Sequence, residues 1–178
     1  MLAESLAQTI KSVSVSRRAA FRSCLGWILA GRLLAIERGE PAPHFAVKTI
    51  DGERYTNESL KGKVVLIEFW ATWCQYCKKD EPALESLTKE FEKDGLVVLA
   101  VDMGEPRRRV KKYLEASPRT CKIVLAEDTT LAAICEARTY PLYVLIDRDG
   151  NVAATQHGAA GEGALRRLLR NAGLGEEA

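Results

Sequence analysis

At 178 residues, 47% hydrophobic and 28% charged, the chain suits one globular domain with an extension. Its 26 basic and 24 acidic side chains leave a net charge of +2, which gives no reason to expect a nucleic-acid partner. Two histidines, His44 and His157, argue against a histidine-rich metal centre, and five cysteines are too sparse for a disulfide-stapled miniprotein.

The first forty residues differ from the rest. Lys11, Arg17, Arg18 and Arg22 precede the apolar run "CLGWILAGRLLA" at Cys24–Ala35, the order of a bacterial export signal or membrane anchor. "SRRAAF" at Ser16–Phe21 has the look of a loose twin-arginine signal. Arg32 interrupts the run, which is shorter than the roughly 20 residues of a membrane span. A helical extension of a cytoplasmic protein is therefore the alternative. The polar, proline-punctuated "ERGEPAPHF" at Glu37–Phe45 reads as a linker, so residues 1–40 form the extension and 41–178 the domain.

Within the domain, short extended runs near Phe45–Ile50 and Glu53–Thr56 flank Asp51-Gly52, a hairpin turn signal. "KVVLIEFW" at Lys63–Trp70 is almost continuously apolar and predicts a central strand buried on both faces. A helix is expected from about Cys74 to Lys93, stopped by Gly95, then a strand at Leu96–Asp102. Helices at Pro106–Ala116 and Thr129–Ala137 bracket a strand at Lys122–Ala126. Strands at Leu142–Asp147 and Asn151–Gln156 join through "DRDG", and a helix at Ala164–Asn171 closes the chain. Alternating strands and helices followed by a hairpin predict an α/β fold, a mixed sheet with helices on both faces. The basic cluster Arg107–Arg109 with Lys111 and Lys112 reads as a solvated helix face.

Chemistry concentrates in "EFWATWCQYCKKDEP" at Glu68–Pro82, where Cys74 and Cys77 follow a buried strand directly. Cys74 falls at the first turn of the next helix, where free amide hydrogens and the helix dipole favour a thiolate over a thiol. Only the thiolate attacks a disulfide, which makes Cys74 the nucleophile. Cys77 lies nearly one turn on, within bridging distance, and can resolve a mixed disulfide. A structural zinc site needs four ligands, usually a second close pair, and none is present; Cys121 and Cys135 are far apart in sequence. A purely structural bridge between adjacent turns of one helix would constrain little chain.

The run "VVLIEFWATWCQYCKKDEP", with its tryptophan lead-in and Pro82 five residues after the second cysteine, resembles the active-site segment of thioredoxin-like proteins. "GEPAPHF…DGERYTNESLKGK" and "LYVLIDRDGNV" resemble the TlpA/ResA branch, related to the AhpC/TSA redoxins, over roughly Pro41–Leu169. The proline–threonine–cysteine motif of the peroxidase relatives is absent.

This resemblance implies a thioredoxin fold with an N-terminal β-hairpin extension, and an enzyme exchanging dithiol and disulfide with protein substrates. It implies no cofactor or metal, an upstream thiol electron donor, and a monomer tethered or exported to the bacterial envelope. The favoured direction is reductive, with apocytochrome thiols as one client. A disulfide oxidase or isomerase and a copper-binding module are the alternatives.

Glu68 stands inside an apolar strand, where burial raises a carboxyl pKa; the family places an acid there that moves protons for the inner cysteine. Glu68 is therefore expected to serve Cys77, with an edge-facing glutamate as the alternative. Pro141 is implied to follow a cis bond from Tyr140, whose backbone would bind an incoming peptide. Trp73 is expected to cover the sulfurs and offer the substrate a platform. Asp80 and Glu81 are expected on a solvated helix face. Cys121 and Cys135 read as buried thiols, a second disulfide being the alternative. Gln75-Tyr76 between the active cysteines replaces the proline common in the family, so the redox poise stays open.

Overall fold

A computed structural model describes residues 36–175; the predicted export segment lies outside the described residues. The elements run β1 (Ala46–Thr49), β2 (Arg54–Thr56), β3 (Val64–Trp70), α1 (Gln75–Phe91), β4 (Leu96–Asp102) and α2 (Arg107–Ala116). They continue β5 (Lys122–Thr129), α3 (Leu131–Ile134), β6 (Leu142–Ile146), β7 (Val152–His157) and α4 (Gly161–Arg170). One seven-stranded mixed sheet has the order β2-β1-β5-β4-β3-β6-β7. β3, β4 and β5 are parallel, and β6 lies antiparallel to β3.

Every residue of β3 is buried, as its unbroken apolar run requires of a strand covered on both faces. Leu66 and Trp70 face a core built with Leu84 and Leu87 of α1, Val110 of α2, and Leu165, Leu168 and Leu169 of α4. Val65, Ile67 and Phe69 face the other side, against Phe45, Leu60 and Leu131. Each such fully buried leucine contributes about 1.5–3 kcal/mol. Gly95 ends the α1–β4 connection at φ 88°, a left-handed backbone that a glycine adopts without strain.

Three boundaries differ from expectation. β5 continues to Thr129 because β1 pairs along it, Val47 with Thr129 and Thr49 with Val124. The predicted helix at 129–137 shrinks to four residues, and Glu136 at φ 47° turns the chain out of helical geometry. α4 begins at Gly161 rather than Ala164, because its first amides find a cap on another helix. Upstream of β1, Gly39 and Ala42 donate backbone bonds to Val152 and Gly150, so this stretch runs along the β6–β7 turn.

Candidate active site

β3 is followed by the short loop Ala71–Trp73, and α1 starts at once. Cys74 is the N-cap of α1; its Sγ accepts the Cys77 N–H at 3.1 Å, and its carbonyl accepts the Lys78 N–H. The two cysteines form a disulfide with Cα atoms 5.3 Å apart. Both are buried, Cys74 5% and Cys77 2% exposed, so a partner must come to the rim of the site to reach Cys74. The helix terminus explains the chemistry: an amide already aimed at Sγ stabilises the thiolate once the bridge opens.

Around this pair the surface is aromatic. Among the described residues, Trp73 and Tyr76 are the exposed large hydrophobics, at 59% and 61%. Trp73 meets the ring of Tyr140 edge-on at 6.2 Å, and Tyr140 precedes Pro141 through a cis peptide bond. Trp73 therefore projects into solvent.

Beneath α1 lies a polar cluster inside the core. Glu68 is fully buried and faces the α1 side of the sheet, since its neighbours Leu66 and Trp70 do. The Arg119 guanidinium, 1% exposed, donates to Glu68 Oε2 at 2.7 Å; its Nε lies 3.5 Å from Glu81, and its plane covers Trp70 at 4.7 Å. Burial pushes the Glu68 carboxyl up, with Arg119 pulling against it. Glu68 Oε1 has no hydrogen-bond partner among the described residues. Arg119 precedes β5 and is distant in sequence; a buried acid needs a cation or a proton, and that requirement was the signal for it.

Asp80 and Glu81 are not a solvated face. Asp80 is 1% exposed and accepts from the Tyr143 hydroxyl at 2.9 Å and from the Ala160 and Gly161 amides at 2.7 and 2.9 Å. It caps α4 from α1, where Ala160 has no side chain to do so. Helical spacing held the clue: Cys77, Asp80, Leu84, Leu87 and Phe91 form one buried stripe. Glu81 receives the Tyr113 hydroxyl at 2.9 Å. Cys121 and Cys135 are free, and they belong to cores on opposite faces of the sheet, so the second disulfide does not form. Burial pushes both thiols up to about 12. On α2, Arg108, Lys111 and Lys112 are exposed as expected, while Arg107 pairs with Asp128 at 2.8 Å.

A disulfide at a helix N-cap, fed by the central strand of this sheet, defines a thiol–disulfide oxidoreductase on a thioredoxin fold. Residues 38–155 match the sequence pattern of the AhpC/TSA family. The chain belongs to the AhpC/TSA family. It is 31% identical over 118 residues to the thiol-disulfide oxidoreductase ResA of Geobacillus thermodenitrificans, spanning 66% of this chain and 68% of that one. It is 33% identical to the thioredoxin-like protein YneN of Bacillus subtilis over 70% of this chain and 76% of that one. Among solved structures, a thiol:disulfide interchange protein of Chlorobium tepidum superposes with a TM-score of 0.67 at 26% identity, over 78% of this chain and 99% of that one.

Proposed function

We propose that this protein reduces disulfides of client proteins in the bacterial envelope through the Cys74–Cys77 couple, with Glu68 as its proton carrier. The Cys74 thiolate attacks one client sulfur and forms a mixed disulfide, and the other client sulfur leaves as a thiolate. Cys77 gives its proton to Glu68 and attacks Cys74 Sγ; the bridge closes and the second client thiolate departs. Two electrons have passed to the client, and an upstream thiol donor reopens the bridge.

The observation that carries this reading is the disulfide at the α1 N-cap, with Cys77's amide on Cys74 Sγ. Support for Glu68 is its burial on the α1 side of the sheet with one carboxylate oxygen unpaired. Two carboxylates, Glu68 and Glu81, face one guanidinium, so the cluster has room for a proton. Trp73, Tyr140 and Pro141 form the client platform; the exposure of Trp73 and its edge contact with the half-buried Tyr140, which the cis bond joins to the buried Pro141, support it. Residues 1–40 act as the export signal or tether ahead of the domain at 41–178, on the strength of their basic-then-apolar order. Apocytochrome thiols are the client class that the family resemblance suggests.

The equilibrium reduction potential of the full chain, read by thiol alkylation and mass, tests the direction. A value towards about −270 mV is expected of a reductase, and one near about −120 mV would make it an oxidant instead. Insulin reduction with dithiothreitol as donor tests the activity itself.

A further inference from the structure

A second acid pair lies under the loop that delivers Cys74. β4 ends at Asp102, which is fully buried. Met103 donates to the Trp70 carbonyl at 2.9 Å, which keeps the chain beside the end of β3. Gly104, at φ 82°, then turns Glu105 back, and the Glu105 amide donates to Asp102 Oδ1 at 3.0 Å. The Glu105 carboxylate, 9% exposed as a residue, receives Thr72 twice: the amide at 2.5 Å on Oε2 and the hydroxyl at 2.7 Å on Oε1. Thr72 is the middle of the three-residue loop between β3 and α1, and the Cys74 amide closes that loop on the Ala71 carbonyl at 3.0 Å. β3 and β4 are parallel neighbours with Trp70 opposite Asp102, so their carboxyl-end loops sit side by side. Asp102 Oδ2 is buried with no hydrogen-bond partner among the described residues.

We propose that Asp102 and Glu105 share one proton and together form a brace on Thr72, so that the loop presenting Cys74 is fixed while the proton is held and loosened when it leaves. The kinetic part rests on Cys74 being the attacking sulfur. Both acids are positioning residues, since neither is placed on the reacting sulfurs.

The arrangement leaves little else to balance the pair. Arg109 of α2 reaches Glu105 Oε1 at 3.6 Å but is 65% exposed, so solvent screens it. β3 and β5 offer Trp70 and Leu125 at the flanking register positions, and neither carries charge. The loop supplies Thr72, and α1 supplies the Cys74–Cys77 pair, which does not titrate while bridged. Two adjacent buried carboxylates with one exposed cation cannot both ionise cheaply. Burial pushes the Asp102 carboxyl up to about 7, with the Glu105 carboxylate adding to the push and the Glu105 amide pulling against it. Against its own burial, the Thr72 bonds and the Asp102 side chain hold Glu105 down. The proton therefore resides on Asp102, and it leaves near neutrality. The second negative charge then repels Glu105 within the brace and disfavours a thiolate on Cys74.

The test reads the brace where the cysteines are silent. In oxidised, nitrogen-15-labelled protein, the Thr72 amide shift is followed from about pH 5.5 to about 8.5, spanning ordinary histidine titration as well. The expected result is a titration with a midpoint of about 7, present in a His44→Gln, His157→Gln variant and absent in Asp102→Asn. A flat Thr72 shift in the wild type overturns the proposal, as does an unchanged midpoint in Asp102→Asn. In reduced protein, the Cys74 thiolate fraction, read from its ultraviolet absorbance, is expected to fall about threefold below a single-group titration curve across that range, the scale of one added charge, with the rate of attack on a small disulfide following it. Asp102→Asn removes that fall; its persistence there overturns the kinetic link. Failure of Cys74 to react at all would instead strike the reading of the cysteines and leave the Thr72 titration standing.

Discussion

Two groups of buried acids sit on the α1 side of the same sheet, and they are neutralised in different ways. Between β3 and α1, Glu68 and Glu81 are met by the Arg119 guanidinium, a charge that never titrates in the working range. Under the Ala71–Trp73 loop, Asp102 and Glu105 have only an exposed arginine beside them, and a proton takes the place of the cation. The difference teaches what each can do. A cluster locked by arginine keeps its cation at every working pH and is costly to break; a cluster locked by a proton loses its neutralising partner as pH rises. The sulfurs stand at the junction, with α1 on one side and the loop on the other.

The largest expected effect comes from removing the cation. Arg119→Ala leaves Glu68 buried opposite nothing and is expected to cost about 3–5 kcal/mol in urea unfolding. Arg119→Met combined with Glu68→Leu restores most of that loss, because an apolar pair needs no solvation. If the single variant unfolds at the wild-type midpoint, the ion pair does not support the core.

Next is Asp80, which belongs to neither charge-balanced group and instead spans α1, β6 and α4. Asp80→Ala strips the α4 cap and orphans the Tyr143 hydroxyl, with an expected cost of about 2–3 kcal/mol. Hydrogen exchange in the first turn of α4 should accelerate while that of β4 should not; uniform acceleration would mean a general loss of packing instead.

The proton-locked pair predicts a pH slope. Asp102 has its pKa raised from 3.8 to about 7, so its stabilising contribution is complete below about pH 4 and is lost as pH rises through about 7. Unfolding free energy should therefore decline between those limits, and Asp102→Asn should flatten the decline. Glu68, raised in the same direction, adds a slope of the same sign that the Asn variant retains. Equal slopes in the two proteins would contradict the assignment.

The smallest effect is expected at the surface. Trp73→Ala should change stability by no more than about 0.5 kcal/mol, given its exposure. The same variant should raise KM for a protein disulfide several-fold and leave reaction with a small disulfide nearly unchanged. A loss confined to the small disulfide would show that Trp73 shapes the sulfurs rather than the client platform.

Local pattern made the redox centre readable. An unbroken apolar strand placed Cys74 at a helix start, and the cysteine spacing set the bridge. The family resemblance supplied the cis bond before Pro141. What escaped was the set of partners reached across the fold. Arg119 meets Glu68, Glu105 meets Thr72, and Asp80 meets α4, each over dozens of residues. No local propensity encodes such pairs; they arise because β3 and β4 lie parallel and because α1 and α4 share a face. A partial signal existed at Asp80, inside an otherwise apolar stripe, and at Glu105, just past a parallel strand's carboxyl end, where sites in α/β sheets gather. The short α3 was hidden for a similar reason, since β1 recruits Thr129 into the sheet.

The sharpest test of the redox account is covalent trapping. Reduced Cys77→Ser protein is mixed with a client disulfide and analysed intact by mass and by peptide mapping. A stable adduct on Cys74 is predicted, together with no turnover by Cys74→Ser. An adduct carried equally by Cys121 or Cys135, or undiminished turnover by Cys74→Ser, would contradict it.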